Sequence, residues 1–197
     1  MPRRLPLFPL PVVLFPGVPL PLHVFESRYR QMMAHCIEGD RKFGLIYHDP
    51  DRSGPFEVTP GQVGCVAEIG EFQPLPDGQS LVMVEGCERF QVSGEFTSDA
   101  MYYQALVDDY PDVPEGAEEI ARRARETRAL FREAFEHNIA DLPTLPPVAD
   151  TAKISFQVAQ WIKIDPSWQQ RLLEHRTEAE RLDMIDELLR SSLEPET

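Results

Sequence analysis

The chain has 197 residues, of which 33 are acidic, 19 are basic and 19 are prolines, giving a net charge of −14. This length suits one large domain or two small ones and is enough to bury a core. The acidic balance argues against broad nucleic-acid binding, because such binding takes its affinity from Lys and Arg on phosphates. The three cysteines, Cys36, Cys65 and Cys87, are widely spaced, so they indicate neither a disulfide framework nor a zinc motif and suit a reducing cytoplasm.

An uncharged stretch near the start follows two arginines and reads LPLFPLPVVLFPGVPLPL over 5–22. It imitates a signal peptide, but its six prolines deny a helix its hydrogen bonds, and no small-residue cleavage pattern follows. A membrane span must satisfy its own backbone, so a helical span is excluded as well. We expect two strands instead, at 5–8 and 18–24, joined by a turn at Pro16 and Gly17. Prolines in a sheet belong at an edge or at a strand end.

The next segment changes to a helical period. From Ser27 onward, apolar residues recur at the spacing of one helix face, with Gly39 where a glycine would end the helix. These residues are Tyr29, Met32, Met33, Cys36 and Ile37.

Alternating and apolar runs then predict further strands. A loop over 48–62 separates the strand at 42–47 from the strand at 63–72. Asp77 followed by Gly78 suits a hairpin turn between the strand at 63–72 and the strand at 80–96. The predicted strands are 42–47, 63–72 with a glycine bulge, 80–96 as two strands or one strand bent at Gly86, and 102–110.

The second half of the chain predicts about four helices. The first covers 117–138, and the second, over 148–162, is apolar on more than one side and should be central. Asp165 followed by proline marks the start of a third helix, and Thr177 with Glu180 forms a capping box for the last. Four arginines of the first helix form either a solvated face or an anionic contact site; they are Arg122, Arg123, Arg125 and Arg128.

Motifs for known chemistry are missing from the sequence. There is no phosphate-binding glycine loop, no nucleophile elbow and no paired zinc histidines. His48 with Asp49 has no nucleophile partner, and Glu26 near His23 reads as a carboxylate that complements a helix start. The acidic cluster of Asp108, Asp109 and Asp112 lacks calcium-loop spacing. We therefore predict no catalytic, cofactor-binding or metal-binding residue.

A longer match is carried by LPLFPLPVVLFPGVPLPLHVFESRYRQMM at 5–33. This segment resembles the opening signature of the Lon protease N-terminal domain. EGCERFQV at 85–92 resembles a strand motif of the same family, and 171–189 resembles its closing helices. The signature residues, expected to be structural or binding, are Phe15, Pro16, Gly17, His23, Phe25, Glu26, Arg28, Tyr29, Gly86 and Arg89.

The resemblance implies an α+β fold. It consists of a six-stranded PUA-like pseudobarrel with one crossing helix over 1–112, followed by a C-terminal helical bundle over 113–197, the two together forming one domain. In Lon proteases the ATPase and Ser-Lys protease portions follow this region. The chain ends at Thr197, so we expect it to lack both and not to be a protease by itself.

The resemblance therefore predicts a non-catalytic module for unfolded or partly folded polypeptide, an adaptor in protein quality control. We expect it to be cytoplasmic, without a cofactor and without membrane attachment, and its charge disfavours nucleic acid. The alternatives are a PUA-like binder of small ligands or RNA, and an enzyme with no recognisable motif.

Overall fold

The computed structural model describes residues 1–138, 154–162 and 164–193, the side chains of 137 and 138 excepted. The chain divides into two compact units, Met1–Pro111 and Asp112–Thr197. Among the described residues, no helix has both the length and the hydrophobicity needed to cross a membrane.

The first unit is a six-stranded sheet with two helices. Five strands, β5, β4, β3, β1 and β6, close into a ring because β6 also pairs with β5, and β2 extends the sheet from the first half of β5. The elements are β1 Arg3–Leu10, β2 Pro19–Val24, α1 Ser27–Glu38, β3 Lys42–Tyr47, α2 Pro50–Ser53, β4 Val63–Pro74, β5 Ser80–Glu95 and β6 Tyr103–Asp109. The predicted six-stranded α+β fold is confirmed.

Two prolines lie inside β1, which is a central strand and not the edge strand that its prolines suggested. The pairing explains this: β6 contacts Arg3–Leu7 and β3 contacts Leu7–Leu10, so the two partners overlap only at Leu7. Pro6 therefore has a partner strand on one side only, and so does Pro9. Each proline therefore occupies a position where one side of the strand is unpaired, the local equivalent of an edge strand.

Helix α1 buries the face that its spacing predicted. Tyr29, Met32, Met33 and Cys36 join a core cluster with side chains of the five strands β1 to β5. The helix ends before Gly39 as predicted, but Gly39 has φ −101°, and the left-handed residue is Arg41 at φ 63°. The Arg41 guanidinium donates to the carbonyls of Ile69 and Gly70, which holds this conformation in place.

The remaining strands refine the expectations from sequence. β5 is one 16-residue strand, and a register shift between Ile69 and Phe72 of β4 gives the bulge expected around a glycine. Gly78 has φ +80° in the turn between β4 and β5, as predicted for the Asp-Gly pair. The loop over 48–62 contains the short helix α2.

A turn at Phe15–Val18 locks β2 onto β5. Its hydrogen bond runs from the N–H of Val18 to the carbonyl of Phe15, and Gly17 has the positive φ of 73° that a type II turn requires after proline. The Gly17 N–H donates to the carbonyl of Gly86 at 2.7 Å, and the Gly86 N–H donates to the carbonyl of Val18 at 3.0 Å. A Cβ on Gly86 would stand 2.1 Å from the Phe15 carbonyl oxygen, so only glycine fits this crossing.

The second unit contains four described helices. They are α3 Ala117–Asn138, α4 Ser155–Ala159, α5 Pro166–Glu174 and α6 Glu178–Leu193. Asp165 caps α5 with Pro166 at its first turn, and the Thr177 hydroxyl accepts from the Glu180 N–H at 3.3 Å, so both predicted helix starts are confirmed. Of the helix predicted at 148–162, residues 148–153 lie outside the described part; α4 begins at Ser155, with Ile154 and Val158 fully buried.

Arg181 is a fully buried charge at the centre of this unit. Its guanidinium donates to both carboxylate oxygens of Asp112 and to Glu178, and it stacks over the Phe156 ring at 4.4 Å. Glu178 in turn accepts the N–H groups of Ile154 and Ser155 at the start of α4. The network satisfies each charge and ties α4 and α6 to the segment that precedes α3.

Two of the four arginines that the sequence singled out on α3 form ion pairs. Arg122 contacts Glu119 and Glu126 of the same helix at 2.5 and 2.6 Å, and Arg123 contacts Asp183 of α6. These ion pairs compensate two of the four charges, which favours the solvated-face interpretation over an anionic contact site.

Replacing Gly86 with alanine is expected to lower the free energy of unfolding by about 1–3 kcal/mol, because the new methyl group overlaps the Phe15 carbonyl. Thermal unfolding followed by circular dichroism measures the effect. Gly94→Ala in the same strand is the control, since its Cβ meets only Leu106 at 3.9 Å. Equal midpoints for the two variants would contradict the packing described above.

Replacing Arg181 with methionine is expected to cost about 3–5 kcal/mol, because Glu178 and Asp112 lose the charge that compensates them. Urea unfolding monitored by helical circular dichroism tests this. Arg122→Met removes an arginine that has two carboxylate partners but lies on the surface, and it should produce a much smaller change. A loss for Arg122→Met as large as that for Arg181→Met would refute the account.

Candidate functional site

The signature residues divide into a structural group and an exposed group. Phe15, Pro16 and Gly17 form the turn that rests on Gly86. Arg89, further along β5, is 5 % exposed and lies over the Tyr110 ring at 5.1 Å. Phe15 and Arg89 are buried, whereas Pro16 is half-buried and Gly17 is exposed.

The residues at the start of α1 are also mostly engaged within the unit. Arg28 forms an ion pair with Glu26 at 2.8 Å and lies over the Tyr29 ring at 4.6 Å. Burial raises the pKa of Tyr29 to about 12, so this phenol stays neutral. Glu26 occupies the N-cap position of α1, yet its side chain makes no capping hydrogen bond and pairs with Arg28 instead.

His23 and Phe25, in contrast, are open to solvent. Phe25 is 59 % exposed, and its ring lies 5.6 Å from the His23 ring. A single exposed phenylalanine needs no explanation, but it becomes informative when neighbouring exposed apolar residues extend it into a patch.

The strand register extends this surface into β5. Pro21 is paired with Met83, and His23 is paired with Leu81. Side chains alternate along a strand, so these four share the outer side of the sheet, while Leu20 and Leu22 pack against the core. We call this outer surface the apolar face; its residues are Pro19, Pro21, His23, Phe25, Leu81 and Met83.

The apolar face is concave where β2, β5 and β4 meet. Leu81 is 44 % exposed and Met83 is 39 % exposed, and both line a groove of about 360 Å³. Glu71 and Gln73 of β4 add a polar border. The groove lining comprises Pro21, Leu22, His23, Glu71, Gln73, Leu81, Val82 and Met83. Such a groove can hold apolar side chains, with a few polar groups at its margin.

Sequence reasoning named His23 and Phe25 but missed Pro21, Leu81 and Met83. The signal was present in SLVMV at 80–84, where every residue after the serine is apolar. A strand with one face in the core and one in water should alternate apolar with polar. An apolar residue at each position therefore indicated that the outer face of this strand is apolar as well.

A second concavity, of about 490 Å³, lies beside the loop before β4 and the start of β6. Its lining includes Glu57, Glu95, Tyr102, Tyr103 and Gln104 and contains no lysine or arginine. The Tyr102 hydroxyl is held 2.9 Å from Nδ1 of His35. The lining thus carries two carboxylates, while Arg4 and Arg28 lie over the Phe96 and Tyr103 rings at 5.2 and 5.6 Å.

The polar groups considered for chemistry have structural partners. The His48 ring lies 2.8 Å from the Gly54 carbonyl oxygen through Nε2, and Asp49 caps α2. Asp109 pairs with Arg3. In the part of the chain that the structure describes, no three His, Cys, Asp or Glu residues are grouped so as to hold a metal ion.

The cysteines are free thiols in surroundings that do not activate them. Burial raises the pKa of Cys36 to about 12 and also raises the pKa of Cys65 and of the half-buried Cys87. A raised pKa lowers the fraction of thiolate, the nucleophilic form. None of the three therefore has the properties of a catalytic cysteine.

Comparison with known proteins finds similarity to Lon proteases along nearly the whole chain. Residues 4–191 match the family model described as the ATP-dependent protease La (LON) substrate-binding domain. The chain is 28 % identical to a Lon protease of Xanthomonas oryzae over 92 % of its own length and 22 % of that protein. It is 29 % identical to a Lon protease of Cytophaga hutchinsonii over 79 % of its own length and 19 % of that protein. The chain thus spans about a fifth of these relatives.

Solved structures show the same fold. A Lon N-terminal domain protein from Xanthomonas campestris aligns with a TM-score of 0.68 and 24 % identity over 95 % of this chain and 98 % of the other. The N-terminal domain of a Lon protease from the Mycobacterium avium complex aligns with a TM-score of 0.69 and 18 % identity, with the same coverage.

Alkylation of the native protein with iodoacetamide at about pH 8, near the ordinary pKa of a thiol, should modify Cys87 alone and more slowly than a free cysteine. Cys36 and Cys65 should react only after unfolding, since both are buried and their pKa values are raised. Mass spectrometry of the digested protein distinguishes the three sites. Rapid native modification of Cys65 would contradict the packing of β4 and β5.

Proposed function

Because the chain belongs to the substrate-binding domain family of the ATP-dependent protease La (Lon), we propose that it binds polypeptides in an unfolded or partly folded state and performs no chemistry itself. The observation that carries the proposal is the apolar face, where Leu81 and Met83 stand exposed on a strand whose other side fills the core. Unfolded chains expose apolar side chains, and covering both surfaces together stabilises the complex.

The size of the groove matches a polypeptide contact. A volume of about 360 Å³ accommodates a few side chains, not a folded domain. Burying one leucine or phenylalanine side chain contributes roughly 1.5–3 kcal/mol before the cost of ordering the partner. A single short segment would therefore bind weakly, which suits a module that must release what it holds.

Three further elements belong to the proposal. The module acts as an adaptor in protein quality control, it resides in the cytoplasm, and its two compact units work together as one functional domain. Family membership supports these statements, since the relatives named above are proteases of which this region forms about a fifth.

The alternative function, a PUA-like binder of small ligands or RNA, would use the second concavity. Its tyrosines and Gln104 offer polar contacts for a small neutral ligand, whereas Glu57 and Glu95 repel phosphate. The net charge of −14 acts in the same direction, and we therefore prefer polypeptide binding at the apolar face.

Met83→Lys is expected to weaken polypeptide binding about tenfold, because it places a charge where apolar side chains must lie. The probe is a fluorescent neutral peptide rich in leucine and phenylalanine, measured by anisotropy. Because Met83 is 39 % exposed, the melting temperature should hardly change.

Met101→Lys is the matched control for this variant. Met101 is 62 % exposed and lies outside the apolar face, before β6, so the same change of residue type should leave binding unaltered. If both variants bind like the original protein, or if the original protein does not bind the peptide better than a serine and glycine peptide, the proposed function is wrong.

A further inference from the structure

We propose that the apolar face takes hold of polypeptides through their side chains alone, and that the free edge of β2 is closed to an added strand. This inference rests on the proposed function and specifies how the same surface recognises its partner. An exposed strand next to an apolar groove would ordinarily suggest that a peptide joins the sheet by main-chain hydrogen bonds.

The first step is to establish which backbone groups of β2 point outward. The N–H of Gly86 donates to the carbonyl of Val18, which is one of the two bonds of a hydrogen-bonded pair; the other donor to Gly86 is Gly17, because the Val18 N–H turns back to Phe15. Pairs in an antiparallel ladder alternate between hydrogen-bonded and non-hydrogen-bonded. Leu20 and Leu22, in register with β5, therefore direct their backbone groups toward β5. The intervening residues direct theirs away from it.

The outward positions are Pro19, Pro21 and His23. Among the residues that the structure describes, β2 pairs with no strand other than β5, so these positions face the free edge. Proline has no N–H, and His23 is therefore the single donor among the three. A docking strand needs donors and acceptors in alternation along its length. Prolines on an edge strand are a known means of blocking such pairing.

The same prolines strengthen the apolar face. Pro21 and Met83 form a non-hydrogen-bonded pair, the arrangement in which side chains on one face lie closest together. The ring of Pro21 therefore lies next to the Met83 side chain in the groove lining. Proline thus has two effects on β2: it removes a backbone N–H donor from the edge, and it adds apolar surface to the groove. Both effects favour contacts with the side chains of a partner over hydrogen bonds to its main chain.

This geometry defines the kind of partner that fits. A segment is recognised by its apolar side chains, whatever its backbone conformation. Partly folded proteins, whose backbone amides already pair internally, qualify as well as fully extended chains. A strand-adding site would accept only segments whose main-chain groups are unpaired.

Amide-to-ester substitution in the peptide provides the test. We would compare the leucine- and phenylalanine-rich peptide with a version in which alternate backbone amides are esters, which removes N–H donors and keeps the side chains. The dissociation constants should agree within about threefold, whereas strand addition would lose about tenfold or more because several hydrogen bonds disappear.

Pro21→Val supplies the matched protein variant, because it restores an outward N–H on β2. This variant should begin to prefer the amide peptide over the ester peptide and should self-associate more in sedimentation, since its edge is open. A preference for the amide peptide in the original protein as strong as in Pro21→Val overturns the inference and leaves the proposed function intact. Failure of the original protein to bind either peptide overturns both.

Discussion

The contact between the Phe15–Val18 turn and Gly86 determines what the first unit presents to solvent. Two backbone hydrogen bonds, from Gly17 to Gly86 and from Gly86 to Val18, fix the register of β2 against β5. A slip of one residue would exchange the two faces of a strand. Leu20 and Leu22 would then leave the core, and Pro21 and His23 would turn inward. The turn thus decides which side chains form the apolar face.

The apolar face is exposed because β2 lies outside the closed ring of strands. The other five strands close the barrel by themselves. The core cluster around Phe90 lies on one side of these strands and the cluster around α1 on the other, since the neighbours Cys65 and Val66 belong to different clusters. β2 contributes Leu20, Leu22 and Val24 to the core from one side only. Its outer side, with Pro19, Pro21 and His23, is exposed to solvent and is therefore available for binding. In the second unit, the network around Arg181 plays the comparable organising role, since it links α4 and α6 by charge-assisted hydrogen bonds.

Local patterns predicted the elements well because they report short-range physics. The helical spacing from Tyr29 to Cys36, the Pro16–Gly17 turn and the cap at Asp165 all depend on residues close in the chain. The six-stranded fold, in contrast, was predicted from the resemblance to Lon N-terminal domains and not from local patterns. The central position of β1 was not predictable from its prolines, because it depends on where two other strands begin and end.

The candidate site was only half predictable for the same reason. His23 and Phe25 stood in a recognisable motif, while Leu81 and Met83 looked like core residues in an apolar strand. Their exposure follows from the pairing of β2 with β5 across some 60 residues of sequence, which no local pattern contains. Two other signature residues lie in the packing of the first unit: Gly86 is in close contact with Phe15, and Tyr29 is buried in the core.

The most direct test of the apolar face uses the methyl groups of the six methionines. Labelled with carbon-13, each gives a separate nuclear magnetic resonance signal that can be followed while unfolded polypeptide is added. The account predicts that the signal of Met83 shifts first and most, while those of buried Met32 and Met33 and of exposed Met101 stay in place. A shift of the Met101 or Met184 signal with an unchanged Met83 signal would contradict it.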